Sequence, residues 1–566
     1  MSRSSRLALD RRTLLATAAA GAAAGLGSGL GLTAGTATAG QPATARAVPG
    51  ARPLAPRGTA ATPSVSGTTL EAVSAPRGDG SGEGYLRLER GAAWQRVVRT
   101  ELASASGGRE DRRTALASFV QFTDLHIVDV QHPLRYEYLR TETSSAWRPQ
   151  EALSVAGAVS LVERVNGLKG GPATGAPLSF VVTTGDNTDN NSRAELEWFL
   201  TVMSGGRITP NTGDPRRYEG VQNSGLKLYW HPDDTLRDDD KALGFPALDG
   251  FLQAAIREVN SPGLTLPWYS TVGNHDLLPG GCYASGDSFF GEFSVGGRKL
   301  MELASEKEGE QLWKTVKEGG DPKGELFREL LRSRKREMRP VTADEKRAPF
   351  TREEYLRAHL RPEFRGAGPV GHGYTEESVA EDRLYYTFRI SEDVVGISLD
   401  TTRPDGHFEG RVGTEQLRWL ERQLRRHEDG YVLLFSHHTS STTPEGGPEV
   451  VDLLRRNPHV LAWINGHSHK NAITPRETFW EISTASHIDF PQLARIVEVT
   501  DNKDGTLSLF TSLVESAAPH GTDFEDLSQT GLAALYRELS FNAPGARDTL
   551  AGEPGDRNTE LLLPKR

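Results

Sequence analysis

Short apolar runs of five or six residues recur along the chain from about residue 115, and polar residues follow each of them. Runs of this length are typical of buried strands in a sheet. Two longer segments repeat apolar residues at helical spacing, with Leu417, Leu420 and Leu424 on one face of the second. We expect that second helix to have Thr414 as its N-cap. The strand candidates are SFVQF (118–122), SFVVTT (179–184), WYSTV (268–272), VVGISL (394–399), YVLLF (431–435) and HVLAWI (459–464), and the helix candidates are 151–165 and 414–424.

Strands that alternate with helices predict a layered α/β fold. The alternation breaks between Asp276 and Val394, where residues 303–340 are dense in charge and helix formers. We interpret about 277–380 as an inserted helical subdomain or lid, and the alternative is a solvated surface appendage. A second insertion lies between Asn191 and Trp268.

The N-terminus has the pattern of an export signal. Arg11 and Arg12 precede a stretch rich in Ala and Gly that carries no charge from Thr13 to Gly40, and an A-x-A site ends at Ala39. This pattern resembles a twin-arginine signal peptide. A membrane anchor is the alternative, but the weak hydrophobicity of Ala and Gly favours cleavage. We therefore expect export by the twin-arginine translocation machinery to the cell envelope or the extracellular space.

The predicted division of the chain follows from these patterns. Residues 1–39 are the signal peptide, and residues 40–80, rich in Pro, Ala, Gly, Ser and Thr, are predicted to be a disordered linker. Residues 81–516 form the main domain. Residues 517–566 form a mostly polar C-terminal tail with a short helical pattern at 532–541.

Net charge and cysteine content limit which classes of function fit the chain. The formal net charge of −10 becomes about −13 without residues 1–39, which hold four Arg and one Asp. Such an acidic balance argues against a stable nucleic-acid partner. Cys282 is the only cysteine, so no intramolecular disulfide can form. No segment of the mature chain is long and apolar enough to span a bilayer.

Potential metal ligands follow five of the six apolar runs. Ligands of α/β sheets gather at the carboxyl ends of strands, so five such strand ends together indicate one metal site. Glycine beside a ligand lets the backbone turn sharply. The strand ends read Thr123-Asp124-Leu125-His126, Gly185-Asp186-Asn187-Thr188-Asp189, Gly273-Asn274-His275-Asp276, Ser436-His437-His438 and Asn465-Gly466-His467-Ser468-His469.

The residue types at these positions indicate which ions would bind. Asp, His and Asn without thiolate form a borderline to hard ligand set, which suits Mn, Fe or Zn, and also Co or Ni, rather than copper or an iron–sulfur cluster. Seven ligands are too many for one ion. They fit two divalent or trivalent ions that share a carboxylate, as in two-metal sites that catalyse phosphoryl displacement.

The strand-end motifs resemble, as an ordered set, those of the calcineurin-like metallophosphoesterase superfamily. This resemblance implies a four-layer α/β/β/α sandwich, here with an inserted, largely helical subdomain. The paired-arginine signal and the long inserts resemble an actinobacterial, twin-arginine-exported branch. The motifs are D-x-H (124–126), G-D (185–186), G-N-H-D (273–276), His437 and G-H-x-H (466–469), with similar segments at 419–424 and 486–492.

The resemblance also assigns roles. Asp124, His126 and His469 would hold the first ion, and Asp186 would bridge. Asn274, His437 and His467 would hold the second ion. His437 is preferred to His438 because the first histidine of such a pair is usually the ligand in the superfamily. His438 would then be a substrate contact or only a neighbour.

The implied mechanism is attack on phosphorus by a metal-bridging hydroxide. His275 resembles the histidine that contacts the phosphate and protonates the leaving oxygen; the alternative is a histidine that only stabilises its loop. Asp189 would orient His275 and raise its pKa. Asn190 and Asn191 follow where the protein-phosphatase branch has Arg-Gly, which puts protein phosphatase activity in doubt. No tyrosine near Asp186 matches that of purple acid phosphatases.

Three functions compete. The first is an exported phosphoesterase acting on phosphomonoesters or phosphodiesters, and the second is a non-catalytic metal-bound envelope scaffold or binding protein. The third is a nuclease, for which the basic cluster at 332–339 could act locally despite the acidic balance. His231, His372 and His407 are weaker candidates for a substrate pocket, and the alternative for each is a structural or surface histidine.

Overall fold

The structure, a computed structural model, describes residues 62–78, 84–104, 106–547 and 550–566. The predicted signal peptide and most of the predicted linker lie outside these residues. Throughout the described part of the chain, no helix combines the length and the apolar character needed to cross a membrane.

A seven-stranded sheet, sheet one, contains the first three strand candidates. In spatial order its strands are β3 (Val97–Arg99), β19 (Thr559–Pro564), β18 (Thr506–Glu515), β17 (Leu493–Asp501), β4 (Thr114–Phe122), β5 (Val181–Thr184) and β8 (Trp268–Thr271). Strands β4, β5 and β8 are parallel, and β17 pairs with β4 in the antiparallel direction.

A six-stranded sheet, sheet two, contains the other three strand candidates. In spatial order its strands are β11 (Tyr386–Arg389), β12 (Val394–Ser398), β13 (Tyr431–Phe435), β14 (Val460–Asn465), β16 (Trp480–Ser483) and β15 (Ala472–Pro475). The four neighbouring strands from β12 to β16 are parallel, and an antiparallel strand lies at each edge of the sheet.

The remaining strands form antiparallel ribbons outside the two sheets. One ribbon begins at Val73, inside the segment predicted to be a disordered linker, so that segment is ordered at its end. The ribbons are β1 (Val73–Pro76) with β2 (Leu88–Gly91), β6 (Gly206–Ile208) with β7 (Val259–Ser261), and β9 (Arg298–Lys299) with β10 (Arg339–Pro340).

Helices connect the strands within the described residues. The α-helices are α1 (Ser154–Gly167), α2 (Arg193–Ser204), α3 (Phe251–Ala255), α4 (Asn274–Leu277), α5 (Ser288–Ser294), α6 (Glu306–Lys317), α7 (Glu325–Ser333), α8 (Arg352–Leu360), α9 (Glu376–Ala380), α10 (Thr414–Arg426), α11 (Gly447–Arg455) and α12 (Gln529–Asn542). Short 3-10 helices lie at Glu137–Leu139, Glu151–Leu153, Val221–Asn223, Lys241–Leu243, Pro279–Gly281, Glu345–Arg347, Pro362–Phe364 and Pro554–Asp556.

The two sheets pack face to face, and helices cover their outer faces. The Phe119 ring of β4 lies 5.7 Å from the Phe435 ring of β13, which joins the sheets across the core. Leu420 and Leu424 of α10 belong to a separate apolar cluster with Leu434 on the other face of sheet two. The predicted α/β/β/α sandwich is therefore confirmed. The predicted N-cap Thr414 is instead the first helical residue of α10, and Gly413 occupies the N-cap position.

The insert is largely helical, as predicted, and has its own apolar cluster. Phe290 of α5 and Phe327 and Leu331 of α7 are buried there against Leu134 and Tyr138 of the main domain. Shared burial of this kind distinguishes the insert from a solvated appendage.

Residues 517–566 are integrated into the main domain. The helical pattern at 532–541 lies within α12, and α12 packs so closely on α1 that a Cβ on Gly157 would lie 2.3 Å from the Tyr536 ring. Strand β19 lies between β3 and β18 in sheet one. The predicted tail thus contributes a helix and a strand to the fold, while the predicted boundaries of the domains remain predictions.

Candidate metal centre

The five strand ends predicted to carry ligands meet at one edge of the sandwich. Sheet one contributes the loops after β4, β5 and β8, and sheet two contributes those after β13 and β14. Polar side chains of these loops converge in the buried space between the sheets. The structure brings together all seven predicted ligands, namely Asp124, His126, Asp186, Asn274, His437, His467 and His469.

The first predicted ligand set forms a tight cluster. The candidate ligand atoms of Asp124, His126 and His469 all lie within 4.8 Å of one another. His469 Nε2 is 3.3 Å from Asp124 Oδ1. His126 Nε2 is buried and has no hydrogen-bond partner in the structure. A buried ring nitrogen left without a partner is costly, and a metal ion would satisfy it.

The second predicted set surrounds His437. Asn274 Oδ1 lies 3.0 Å and His467 Nδ1 lies 3.2 Å from His437 Nε2. The Asn274 side-chain amide donates to the Gly281 carbonyl at 2.9 Å, which turns its oxygen toward the cluster. The first residues of the insert therefore orient a predicted ligand.

Asp186 lies between the two sets. Its Oδ2 atom is 3.5 Å from His126 Nε2 and 3.1 Å from His437 Nε2, so one carboxylate oxygen faces a histidine of each set. The other oxygen, Oδ1, accepts a hydrogen bond from the backbone N–H of His275 at 2.8 Å. This placement is the one that a bridging carboxylate requires.

Five of the seven predicted ligands have left-handed backbone conformations. Their φ angles are +50° at Asp124, +42° at His126, +49° at Asp186, +62° at His467 and +54° at His469. A side chain in this region costs about 1–2 kcal/mol, and such strain clusters at functional sites. In the G-H-S-H loop, His467 Nδ1 lies 3.2 Å from His437 Nε2 and His469 Nε2 lies 3.3 Å from Asp124 Oδ1, so the two rings face different predicted ligand sets.

The glycines that precede three ligands allow the loops to approach closely. A Cβ on Gly273 would lie 2.3 Å from Asp186 Oδ1, and one on Gly466 would lie 2.4 Å from Asp124 Oδ2. A Cβ on Gly185 would lie 2.7 Å from the Cβ of His437. Each glycine of the G-D, G-N and G-H motifs therefore leaves room for a ligand from another loop.

Three of the predicted ligand histidines are oriented through Nδ1. His126 Nδ1 is 2.8 Å from Asp189 Oδ1, and His469 Nδ1 is 2.7 Å from Asp489 Oδ2. His437 Nδ1 is 2.9 Å from the Thr184 carbonyl oxygen. With the proton on Nδ1, each ring presents a neutral Nε2 to the centre, which is the tautomer that binds a metal.

Two buried arginines hold the carboxylates behind these histidines. Arg148 donates to both oxygens of Asp489, at 2.7 and 3.2 Å, and Arg135 donates to Asp189 Oδ2. Burial alone would raise the pKa of Asp489, but Arg148 and His469 outweigh it and hold the pKa well below its ordinary value. Arg135 and His126 similarly lower the pKa of Asp189 against burial. Both carboxylates therefore stay ionised.

Sequence reasoning missed Asp489, Arg148 and Arg135. Asp489 lies in S-H-I-D-F-P-Q (486–492), a segment noted only as similar to the superfamily. The two arginines follow the D-x-H motif in the connection between β4 and α1, and no recognisable motif includes either of them. Arg148 contacts Asp489 across 341 positions and Arg135 contacts Asp189 across 54, and spacing along the chain reveals neither contact.

The geometry around His275 differs from the predicted arrangement. His275 Nδ1 lies 2.7 Å from the backbone carbonyl oxygen of Asp189 and 4.0 Å from its carboxylate. The carboxylate instead contacts His126 and Arg135. Asp189 thus orients His275 through its main chain, because its side chain already serves a predicted ligand.

The other histidine candidates do not contact the centre with a free ring nitrogen. His438 lies 4.4 Å, centroid to centroid, from His467, but its Nδ1 bonds Thr401 Oγ1 and its Nε2 bonds the Phe408 carbonyl. His372 is buried in a 3.4 Å stack on Trp268. The alternative of a structural histidine therefore fits His372, and the alternative of a neighbour of the centre fits His438.

His231 and His407 also lie in structural settings. His231 is buried, and its Nε2 is 2.8 Å from the Leu226 carbonyl oxygen. His407 connects its loop to the start of the insert, since its backbone N–H donates to the Cys282 carbonyl at 2.8 Å.

The electrostatics of the cluster favour bound cations. Burial alone would lower the pKa of His437 and His469, but Asp186 and Asp124, respectively, outweigh it and raise each pKa to about 9. Burial lowers the pKa of His126. Protons on two of the histidines thus offset the buried carboxylates, and metal ions would displace those protons. A pair of metal ions therefore fits the donor set, the unpartnered Nε2 atom of His126 and the position of Asp186 between the two sets.

Comparisons with known proteins yield structural similarities alone, since no family model and no curated protein matches the chain. Similar solved structures include a dimetal phosphatase from Danio rerio (12% identity, TM-score 0.36), with the match covering 71% of this chain and 100% of that one. A putative 5'-nucleotidase from Staphylococcus aureus (12%, 0.27) matches over 70% of this chain and 54% of its own. A purple acid phosphatase from yellow lupin, Lupinus luteus (10% identity, TM-score 0.29), matches over 75% of this chain and 53% of its own. The chain spans about half the length of the last two.

Proposed function

We propose that the chain is a metal-dependent phosphoesterase that hydrolyses phosphomonoesters or phosphodiesters at a two-metal centre. The observation that carries this proposal is the position of Asp186 Oδ2, within 3.5 Å of His126 Nε2 and His437 Nε2. One carboxylate oxygen shared by two histidine sets is the arrangement that holds two ions a few ångströms apart.

Each side chain has a defined part in this proposal. Asp124, His126 and His469 would hold one ion, Asn274, His437 and His467 the other, and Asp186 both. When bound, the pair would supply Lewis acidity that activates water and neutralises charge on the phosphoryl oxygens. The ions are Mn, Fe or Zn in this proposal, because the donors are nitrogen and oxygen without thiolate.

His275 is the proposed general acid. Its Nδ1–H donates to the Asp189 carbonyl, which fixes the ring and leaves Nε2 free to carry a proton. The side chain is 23% exposed, and its ring centroid is 4.7 Å from that of His126, so it lies at the solvent side of the cluster. A proton on Nε2 would pass to the leaving oxygen of the ester.

Export is also part of the proposal. The paired arginines at Arg11 and Arg12 and the uncharged stretch that follows support transport by the twin-arginine machinery to the envelope or beyond. That route carries folded proteins, which suits a chain that acquires its metal ions before export.

The test combines metal analysis with two chromogenic esters, p-nitrophenyl phosphate and bis-p-nitrophenyl phosphate. Mn, Zn and Fe are supplied separately to metal-stripped protein, and bound metal is measured by elemental analysis. We expect two equivalents of metal and turnover of at least one ester. A chain that binds two equivalents and hydrolyses neither ester would favour the non-catalytic scaffold, and a chain that binds none would refute the metal centre.

A further inference from the structure

Behind the candidate metal centre, a buried chain of charged side chains leads into the insert. It begins at His126 and passes through Asp189 to Arg135, whose guanidinium contacts three carboxylates. Arg135 Nη2 is 2.7 Å from Glu151 Oε1, and Arg135 Nε is 3.1 Å from Glu137 Oε1. One cation is therefore shared among Asp189, Glu151 and Glu137.

The insert supplies the second cation of this network. Lys299 of β9 is fully buried, and its Nζ is 2.6 Å from Glu137 Oε1, the same oxygen that Arg135 contacts. Nζ also donates to the Val130 carbonyl at 2.6 Å. The second oxygen of Glu137 is buried and has no hydrogen-bond partner within the part of the chain that the structure describes. The charge on Glu137 is therefore balanced by Lys299 and Arg135 alone among the contacts that the described residues make with it.

We propose that Lys299 is a positioning residue for the metal centre, acting on His126 through Glu137, Arg135 and Asp189. The inference rests on the proposed two-metal site. Without Lys299, Glu137 would keep Arg135 as its one cationic contact among the described residues, and it would draw Arg135 toward itself. Asp189 would then lose part of its cation, and the hydrogen bond that orients His126 would weaken. The insert thereby completes one ion position, in addition to any effect on substrate access.

The experiment measures Co²⁺ binding to the full mature chain, by titration of metal-stripped protein and by the visible absorption of bound Co²⁺. Replacing a residue that hydrogen-bonds to a metal ligand typically lowers metal affinity about 10–100-fold. We expect wild type to bind two equivalents, and Lys299→Met to bind one of them about 10–100-fold more weakly with its absorption changed. The other equivalent keeps its affinity.

A double variant separates this role from a general loss of stability. In Lys299→Met/Glu137→Gln the competitor for Arg135 is also neutral, so Arg135 returns to Asp189 and both equivalents regain affinity within a few-fold of wild type. Glu137→Gln alone is expected to bind Co²⁺ at least as tightly as wild type. Arg140→Met is the matched control, because Arg140 forms a buried pair with Asp240, at 2.7 and 2.9 Å, outside the centre.

The outcomes are distinct. Wild-type affinity in Lys299→Met would overturn the inference, and so would equal weakness in the single and double variants. If Lys299→Met fails to fold, Glu137→Gln and the double variant test the inference. An about tenfold loss of Co²⁺ affinity in either variant overturns it. If the wild-type chain itself binds no Co²⁺, the proposed metal centre fails first and the inference with it.

Discussion

At the scale of single residues, His275 separates metal binding from catalysis. It belongs to neither ligand set, yet its ring lies beside His126 with Nδ1 fixed by a main-chain carbonyl. We expect His275→Ala to keep both metal equivalents and to lower kcat about 10²–10⁴-fold, the usual contribution of a general acid. Steady-state kinetics with either ester and elemental analysis of the same sample test this. An unchanged kcat would remove His275 from the mechanism.

Gly281 is expected to control the position of that ring. Its φ is +73°, and an added Cβ would lie 2.5 Å from His275 Nε2. Gly286 has a similar φ of +92°, but an added Cβ there would contact nothing within 4 Å. Both Gly→Ala changes strain the backbone, and only the first displaces His275.

We therefore expect Gly281→Ala to lower kcat at least about tenfold, because small misplacements of a catalytic group are costly. Gly286→Ala should retain wild-type kcat. Parallel kinetic measurements on the two variants test the difference. Equal kcat values in both would mean that the ring tolerates the added methyl group.

Asp489 is expected to matter for metal binding although it is no ligand. Neutralising it in Asp489→Asn weakens the bond that orients His469, so we expect one metal equivalent to bind about 10–100-fold more weakly. Asp240→Asn, which neutralises another buried aspartate paired with an arginine, should leave metal binding unchanged. Chelator competition monitored by elemental analysis compares the two. Similar losses in both variants would point to general destabilisation instead.

At the scale of secondary structure elements, the C-terminal strand β19 is part of the core. Leu561 on β19 is fully buried between β3 and β18, whereas Val98 on the neighbouring β3 is 48% exposed. Leu561→Ala is expected to cost about 2–5 kcal/mol of unfolding free energy, and Val98→Ala about 0.5 kcal/mol or less. Urea denaturation of metal-stripped protein measures both. A small effect of Leu561→Ala would contradict the burial of β19.

The sequence predicted the elements that follow a simple pattern. All six apolar runs form strands. A run of five or six apolar residues between polar residues has the length of a buried strand and is shorter than a typical buried helix. Strands β17, β18 and β19 were not predicted. Their pairing joins residues 493–515 to 559–564 and to β4, and such long-range partners leave no local signal.

The candidate site, like the fold, was predictable only in part. The strand ends predicted one cluster, because ligands gather at the carboxyl ends of strands, and the resemblance to the superfamily selected the seven residues that the structure brings together. The residues behind them could not be predicted. Arg148 and Asp489 are 341 positions apart in the chain, and Asp189 turned out to serve His126 with its carboxylate. Only the packed structure reveals which buried charges share a partner.

At the scale of the whole molecule, two buried histidines outside the predicted ligand sets link stability to pH. His372 Nε2 donates to the Phe364 carbonyl at 2.8 Å, and its Nδ1 lies 3.2 Å from the Trp268 carbonyl oxygen. His359 Nδ1 donates to the Tyr355 carbonyl, and its Nε2 lies 3.0 Å from Ser270 Oγ. Burial lowers the pKa of His372 to about 4 and that of His359 to about 3. Both rings are therefore neutral in the folded protein at pH values where an unfolded histidine, with a pKa of about 6.5, is protonated.

Because the folded pKa values are depressed, the unfolded chain binds more protons below about pH 6.5, and the stability that these rings contribute is lost as pH falls. Their contribution is complete above about pH 6.5 and declines by up to about 1.4 kcal/mol per pH unit for each ring, toward pH 4 for His372. We expect His372→Gln to show a shallower decline than wild type between pH 6.5 and 4.5. Urea denaturation of metal-stripped protein at several pH values measures both slopes. Titration of the predicted metal ligands contributes equally to both, because the two proteins share these residues. Parallel slopes would show that His372 is already protonated in the folded state.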